Sequence, residues 1–253
     1  MTQSSIEWTE LTWNPTTGCT KISAGCKNCY AEVMSRRLKA MGQKKYQNNF
    51  KITIHPQELM IPYNWKGSRM VFVNSMSDMF HEKVPLEFIQ AVFTVMNNTP
   101  QHTYQILTKR SERLKELSPA LNWTDNIWMG VSVENEKVVH RITDLAGIGA
   151  RLKFLSIEPL IGPIKSLPLE NISWVIVGGE SGHGARPIKK EWVDFVHQQC
   201  REHGVSFFFK QWGKPHFNFN QNDPTIAKSH PQHAKGGCQL NGEVYRELPV
   251  SFA

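Results

Sequence analysis

Three cysteines lie within eleven residues near the start of the chain, in the run Thr17-Gly-Cys-Thr-Lys-Ile-Ser-Ala-Gly-Cys-Lys-Asn-Cys-Tyr30. Cys19, Cys26 and Cys29 are spaced C-x6-C-x2-C, and a glycine precedes each of the first two. Such a run describes a loop wrapped around a ligand. Thiolate clusters hold soft metals or iron–sulfur cages. Three ligands rather than four leave a position open. A four-iron cluster so held keeps one iron for a small molecule, and a zinc ion keeps one exchangeable site. In the zinc alternative, His216, His230, His233 or Cys238 is available as a fourth ligand.

Five cysteines, three of them clustered, do not form a disulfide framework. Cys200 falls in a helical pattern and reads as a small buried hydrophobe, whereas Cys238 sits in a stretch rich in Gly and His. No apolar run is long enough to cross a bilayer. The first residues, Met1-Thr-Gln-Ser-Ser-Ile-Glu-Trp8, lack the basic start and apolar core of a signal peptide. The cytoplasm is therefore the expected compartment. The oligomeric state is not legible.

The formal net charge is +7, which favours anionic partners. The charge is uneven. Arg36, Arg37, Lys39, Lys44, Lys45, Lys51, Lys66 and Arg69 face one acid, Glu58, across that stretch, and Tyr46, Phe50, Tyr63 and Trp65 are interleaved. This mixture suits a nucleic-acid backbone with stacked bases, and equally a solvated helix followed by a loop.

Positioning these groups needs a scaffold, and the chain alternates short apolar runs with helical patterns. Strands are expected near Glu10–Trp13, then at Arg69–Asn74, Thr103–Leu107, Asn126–Val133, Leu152–Ile157, Trp174–Val177 and Val205–Phe209. Helices are expected at Pro85–Asn98, Ser111–Leu117 with Ser111 as cap, Glu136–Leu145, and Lys189–His203 ended by Gly204. Repeated β-then-α units imply parallel strands with right-handed crossovers. The class is α/β, a partial (β/α) barrel with six to seven mostly parallel strands. Residues 1–213 would form the barrel. Residues 214–253 would form a loop-rich extension on the same domain, with an Asn241-Gly242 hairpin.

Each expected strand ends in polar residues, where such folds place their chemistry. The cysteine loop follows the first. Asn74-Ser-Met-Ser-Asp-Met-Phe-His81, Thr108-Lys-Arg110, Ser132-Val-Glu-Asn135, Ser156-Ile-Glu-Pro159, Gly178-Gly-Glu-Ser-Gly-His183 and Lys210-Gln-Trp-Gly213 follow the others.

With its three-cysteine loop after the first strand and Tyr30 directly after the last cysteine, the chain resembles a radical S-adenosylmethionine (SAM) enzyme. It departs from that superfamily's usual C-x3-C-x2-C spacing. Trp13-Asn-Pro-Thr-Thr-Gly-Cys19, Cys26-Lys-Asn-Cys-Tyr-Ala-Glu32, Val133-Glu-Asn135, Glu158-Pro-Leu160, Gly178-Gly-Glu-Ser-Gly182 and Lys210-Gln-Trp-Gly213 are similar to a phage-associated three-cysteine-motif family of radical-SAM-like proteins, of unknown function. The resemblance covers nearly the whole chain.

It implies that Cys19, Cys26 and Cys29 ligate a [4Fe–4S] cluster whose open iron chelates SAM, and that SAM is cleaved to a 5′-deoxyadenosyl radical. It implies an external electron donor such as flavodoxin or ferredoxin. Tyr30 would lie toward the adenine. Ser75 or Asp78 would bind the SAM amino group in place of a Gly-Gly-Glu, which here falls after the sixth strand. Ser132 and Arg141 would hold the ribose and carboxylate, Glu134 the ribose hydroxyls, and Gly178 and Gly179 would admit the adenine. Lys109, Glu158, Glu180 and His183 would face substrate. That substrate is expected to be a nucleobase or nucleotide within nucleic acid. The competing readings are a zinc-stabilised nucleic-acid-binding protein, and a degenerate barrel keeping its cluster for structure or sensing.

Overall fold

Seven strands carry the fold of the computed structural model, which describes residues 6–249. They are β1 (Leu11–Trp13), β2 (Met70–Val73), β3 (Thr103–Thr108), β4 (Ile127–Ser132), β5 (Leu152–Ile157), β6 (Trp174–Gly178) and β7 (Ser206–Gln211). The longer helices are α1 (Tyr30–Ala40), α2 (Leu86–Asn97), α3 (Ser111–Leu117), α4 (His140–Ala146) and α5 (Lys190–Glu202). The class is the one read from the sequence: α/β, of partial (β/α) barrel type, with parallel strands.

The described residues divide into two compact units. The first comprises Ile22 and the described residues before it, Cys29–Val131 and Gly147–Leu152. Its strands pair in the order β1-β2-β3-β4, with Leu11 opposite Val71, Val71 opposite Tyr104 and Tyr104 opposite Ile127. The apolar face of α2 supplies much of this core: Phe88, Ile89, Val92, Phe93, Val95 and Met96 are buried. Each fully buried large side chain is worth roughly 1.5–3 kcal/mol.

The second unit comprises Ser23–Asn28, Ser132–Ala146 and the described residues from Lys153 onward. Its strands pair β5-β6-β7, with Phe154 opposite Trp174 and Trp174 opposite Ser206. Every residue of β5 and β6 is buried, as expected of strands covered on both faces. Val193, Val196, His197 and Cys200 form the inner face of α5. Burial pushes the Cys200 thiol up to about 12, so it packs as an inert hydrophobe. The segment after β7 belongs to this unit and ends in the expected hairpin. Gln239–Leu240 pair with Glu243–Val244 around Asn241 (φ 54°) and Gly242 (φ 85°).

Element boundaries shift by one or two residues. Ser111 is the first residue of α3 and Arg110 its cap, so Ser111 does not cap as expected. The helix expected over Glu136–Leu145 is broken into a short turn at Glu136–Val138, capped by Asn135, and α4. Strand β7 runs on through Lys210 and Gln211. Among the described residues no helix is long and apolar enough to cross a membrane.

Candidate functional site

Within the first unit, the segment entering the cysteine loop is fixed mainly by backbone. The Asn74 N–H donates to the Trp13 carbonyl at 2.7 Å, and the Asn74 Oδ1 accepts from the Thr16 N–H at 3.2 Å. The Gly18 N–H donates to Met76 O at 3.0 Å, and the Cys19 N–H donates to Phe50 O at 3.1 Å. Gly18 has φ +83°, and a Cβ there would sit 2.2 Å from the Lys51 carbonyl oxygen, so only glycine fits. Beyond Cys19, Thr20 is tied by its Oγ1 to His81 Nε2 at 2.9 Å, and Arg110 Nη2 donates to the same hydroxyl at 2.8 Å.

The loop after β2 is itself well satisfied. Asp78 is buried. Its Oδ1 accepts from Phe80 N at 3.0 Å and Thr108 Oγ1 at 2.7 Å, and its Oδ2 accepts from Lys109 N at 3.2 Å. Asp78 thus joins the ends of β2 and β3, and Lys109 is half-buried. Ser75 Oγ donates to Asn14 Oδ1 at 3.2 Å, and the Ser75 carbonyl accepts from the Tyr30 hydroxyl. Tyr30 itself is exposed. His81 is fully buried. Burial, then the charge of Arg110, lowers its pKa, so it is neutral with Nδ1 accepting from Lys83 N at 3.1 Å.

Within the second unit, side chains hold the middle of the cysteine loop. Ala24–Cys26 forms one tight turn that buries none of its residues. The Gly25 N–H donates to Glu134 Oε1 at 3.0 Å. Glu134 is 1% exposed, and its Oε2 accepts from Arg141 Nη1 at 3.0 Å. The same nitrogen of Arg141 donates to the Ser132 carbonyl at 2.8 Å. A Cβ on Gly25 would lie 3.1 Å from Glu134 Cδ, so the missing side chain permits this approach. Glu180, 5% exposed, accepts from Arg186 through its backbone N–H (2.9 Å), Nε (2.9 Å) and Nη2 (2.6 Å), and from Asn28 Nδ2 (2.9 Å). Burial alone would raise the Glu180 pKa, but these donors outweigh it and hold the carboxyl below its usual range.

A third carboxylate, Glu158, lies at the ends of β5–β7. Glu158 accepts from Lys210 Nζ at 2.9 and 3.1 Å and from Gln211 Nε2 at 3.2 Å. The missing side chains of Gly178 and Gly179 are explained locally: a Cβ would meet Glu158 Cδ at 3.2 Å or the Trp212 carbonyl at 2.4 Å. His183 is exposed in the loop after Glu180.

Among the described residues of the second unit, three buried side-chain atoms have no hydrogen-bond partner: Ser132 Oγ, at the end of β4, Gln211 Oε1, at the end of β7, and Arg246 Nη1, beyond β7. Each keeps hydrogen-bonding capacity that no protein group takes up.

The three loop cysteines are reduced thiols of intermediate exposure. Among the described residues, no three His, Cys, Asp or Glu side chains are gathered closely enough to hold an ion. The chemistry of the donor set still suits an iron–sulfur cluster, because reduced, accessible thiols on one short loop are what such clusters take. Of the alternative zinc ligands, Cys238 is buried with its Sγ 3.5 Å from Gln232 O, and His216 and His233 are exposed.

The basic stretch is partly committed elsewhere. Lys45 pairs with Glu58 at 2.6 Å, and Tyr46 and Trp65 are core residues. Lys44, Lys51, Tyr63 and Lys66 are exposed. The residues that sequence reasoning missed are Asn14, Asn28 and Arg186. Asn14 and Asn28 lie inside the quoted motifs. Arg186 had no signal beyond its place six residues after Glu180.

A family model described as a protein of unknown function (DUF5131) matches residues 3–249. No curated protein matches. Among solved structures, the chain is similar to spore photoproduct lyase complexed with dinucleoside spore photoproduct, at 14% identity and a TM-score of 0.46, covering 79% of this chain and 63% of that one. It is likewise similar to a substituted variant of that enzyme with bound AdoMet and the same dinucleoside, at 12% identity and a TM-score of 0.44, covering 76% and 61%. The chain spans about three-fifths of the length of each. The match over almost its full length places the chain in the DUF5131 family.

Proposed function

We propose that the chain is a radical SAM enzyme in which Cys19, Cys26 and Cys29 hold a [4Fe–4S] cluster. One observation carries the reading: three partly accessible cysteines, none of them in a disulfide, share a single loop at the C-terminal end of β1. A loop held on one side by backbone and on the other by buried carboxylates is suited to presenting ligands, and not merely to connecting elements. When bound, the cluster and SAM would supply radical hydrogen-abstraction chemistry, with the electron taken from an external donor; the protein would supply binding, orientation and shielding.

The chain's residues divide that work. Glu134 and Glu180 fix the loop through Gly25 and Asn28. Ser132 Oγ and Gln211 Oε1 offer buried hydrogen-bonding capacity to SAM or substrate. Arg141 holds Glu134 and the Ser132 carbonyl, and so orients the hydroxyl rather than contacting a ligand first. Tyr30, Ser75 and Asp78 line the loop after β2 in our reading, and Gly178 and Gly179 let the β6 end pack against Glu158 and Trp212. Lys109, Glu158 and His183 remain the substrate-side candidates, with Glu158 paired to Lys210 at rest, whereas Glu180, first read as facing substrate, is taken up by Arg186 and Asn28. The substrate class we propose is a nucleobase or nucleotide in nucleic acid, modified, rearranged or repaired. The exposed Lys44, Lys51, Tyr63 and Lys66 support this, since exposed cations suit phosphates and an exposed aromatic ring suits a base. Reducing equivalents come from an external donor such as flavodoxin or ferredoxin.

The test is anaerobic reconstitution with iron and sulfide. The expected product is a brown protein that, once reduced, releases 5′-deoxyadenosine from SAM. Cys26→Ala should abolish that release. A colourless, zinc-loaded protein from the same preparation, or unchanged release by the variant, would overturn the assignment.

A further inference from the structure

The turn Ala24–Cys26 presents a difficulty that its own residues do not solve. It buries nothing, and Ser23 provides no side-chain cap. Apolar packing therefore cannot hold it, and an exposed turn of this size has little intrinsic persistence. Glu134 takes the Gly25 N–H in the middle of the turn, and Glu180 holds both ends. Arg186 grips that carboxylate with Nε and Nη2, and its remaining Nη1 reaches the Ala24 carbonyl at 2.9 Å. Asn28 Nδ2 bonds the same carboxylate and also the Gly184 carbonyl at 2.8 Å. Cys26 lies midway, two residues from each anchor, with its Sγ 3.8 Å from Ser23 Oγ.

We infer that Arg186 is a positioning residue for Cys26: locked in a bidentate fork on Glu180, it fixes the turn through the Ala24 carbonyl and so presents the middle thiolate. This rests on the cluster reading above. A guanidinium can do this because its planar fork leaves the third nitrogen aimed in a set direction, whereas a lysine ammonium cannot grip both carboxylate oxygens and reach a carbonyl together. Groups one step behind a metal ligand typically change metal retention by about 10–100-fold when removed.

The test compares wild type with Arg186→Ala, Arg186→Lys and Asn28→Ala, each checked for an unchanged far-UV spectrum and thermal midpoint. In the metal-free proteins, trypsin cleavage after Lys27 should be about 10-fold faster in Arg186→Ala. In the reconstituted proteins, chelator extraction of iron should also be about 10-fold faster, with an altered electron paramagnetic resonance line shape of the reduced cluster. Arg186→Lys should fall between the two. If Arg186→Ala does not fold, Asn28→Ala carries the comparison through the same readouts with a smaller change. Wild-type iron retention and line shape in both variants would overturn the inference while leaving the cluster reading intact. A wild-type protein that takes up no iron overturns both, and the Lys27 cleavage rates then show whether the clamp exists without its purpose.

Discussion

The two stretches of the cysteine loop are held by different forces. Residues 16–20 are fixed by backbone bonds and hydroxyls: Gly18 to Met76, Cys19 to Phe50, Thr17 to His55 and Thr20 to His81. Residues 23–28 are fixed by buried charge, with Glu134 on Gly25 and Glu180 on Asn28 and, through Arg186, on Ala24. Backbone anchoring fixes where the loop begins whatever side chains the loop carries. Charge anchoring fixes orientation and depends on a few residues distant in sequence. The first stretch should therefore break through geometry, and the second through electrostatics.

The largest effect is expected from Glu134→Ala. It leaves Arg141, 4% exposed, as an uncompensated buried charge and strips the Gly25 N–H of its acceptor. Breaking a buried pair from one side costs about 3–5 kcal/mol. Urea denaturation should show this, and a loss below about 1 kcal/mol would mean that the carboxylate does not hold the turn. Next comes Gly18→Ala in the backbone-held stretch. A non-glycine residue at that φ costs about 1–3 kcal/mol before the clash with the Lys51 carbonyl is counted. Its loss should be indifferent to salt. Thr20→Val should cost less, about 0.5–1.5 kcal/mol, because it removes only the bonds to His81 and Arg110. A Thr20→Val loss equal to that of Glu134→Ala would collapse the distinction between the two stretches.

Much of this scaffold was legible in the sequence because burial imposes a pattern. The strand β6 is an uninterrupted apolar run, β5 is apolar but for Lys153 and Ser156, and α2 and α5 repeat at helical spacing. Helix α1 is poorly written in the sequence because only Ala31 and Ser35 are buried along it, while Tyr30, Val33 and Met34 stay outside. At the site, the polar residues at the strand ends were visible as a set, but their partners were not. Glu180 reads as a free carboxylate beside two glycines. That it is committed to Arg186 and Asn28 follows from a loop folding back and from a contact 152 positions away in sequence, which no local pattern encodes. Gly178 and Gly179 teach the same lesson, since their small size answers to Glu158 and to the backbone at Trp212. The basic stretch misled in the other direction. Its spacing cannot show that Lys45 is paired or that Tyr46 and Trp65 are packed inside.

The smallest predicted effect separates the two stretches by pH. His81 is held neutral, its pKa lowered first by burial and then by Arg110, with Glu82 and Asp78 opposing and Lys83 adding to the fall. Between that lowered value and the unfolded one, near 6.5, the unfolded chain binds more protons. Stability from this group is therefore lost as pH falls below about 6.5 and through the folded pKa. Protonation also turns Nδ1 into a donor facing the Lys83 N–H, so the bond to Thr20 loses its support. Glu180 titrates lower. Its folded pKa is depressed, so its contribution is present above the unfolded value, near 4.3, and is lost as pH falls through the folded one. On acidification, amide protection near Thr20 should therefore fall first, and protection of Gly25 and Asn28 only at lower pH. Hydrogen-exchange protection factors corrected for intrinsic rates would read this directly. His81→Gln should erase the upper step and Glu180→Gln the lower. Loss of both stretches in one window, unaffected by either substitution, would show that the loop melts as a single unit and that its two kinds of anchoring are not independent.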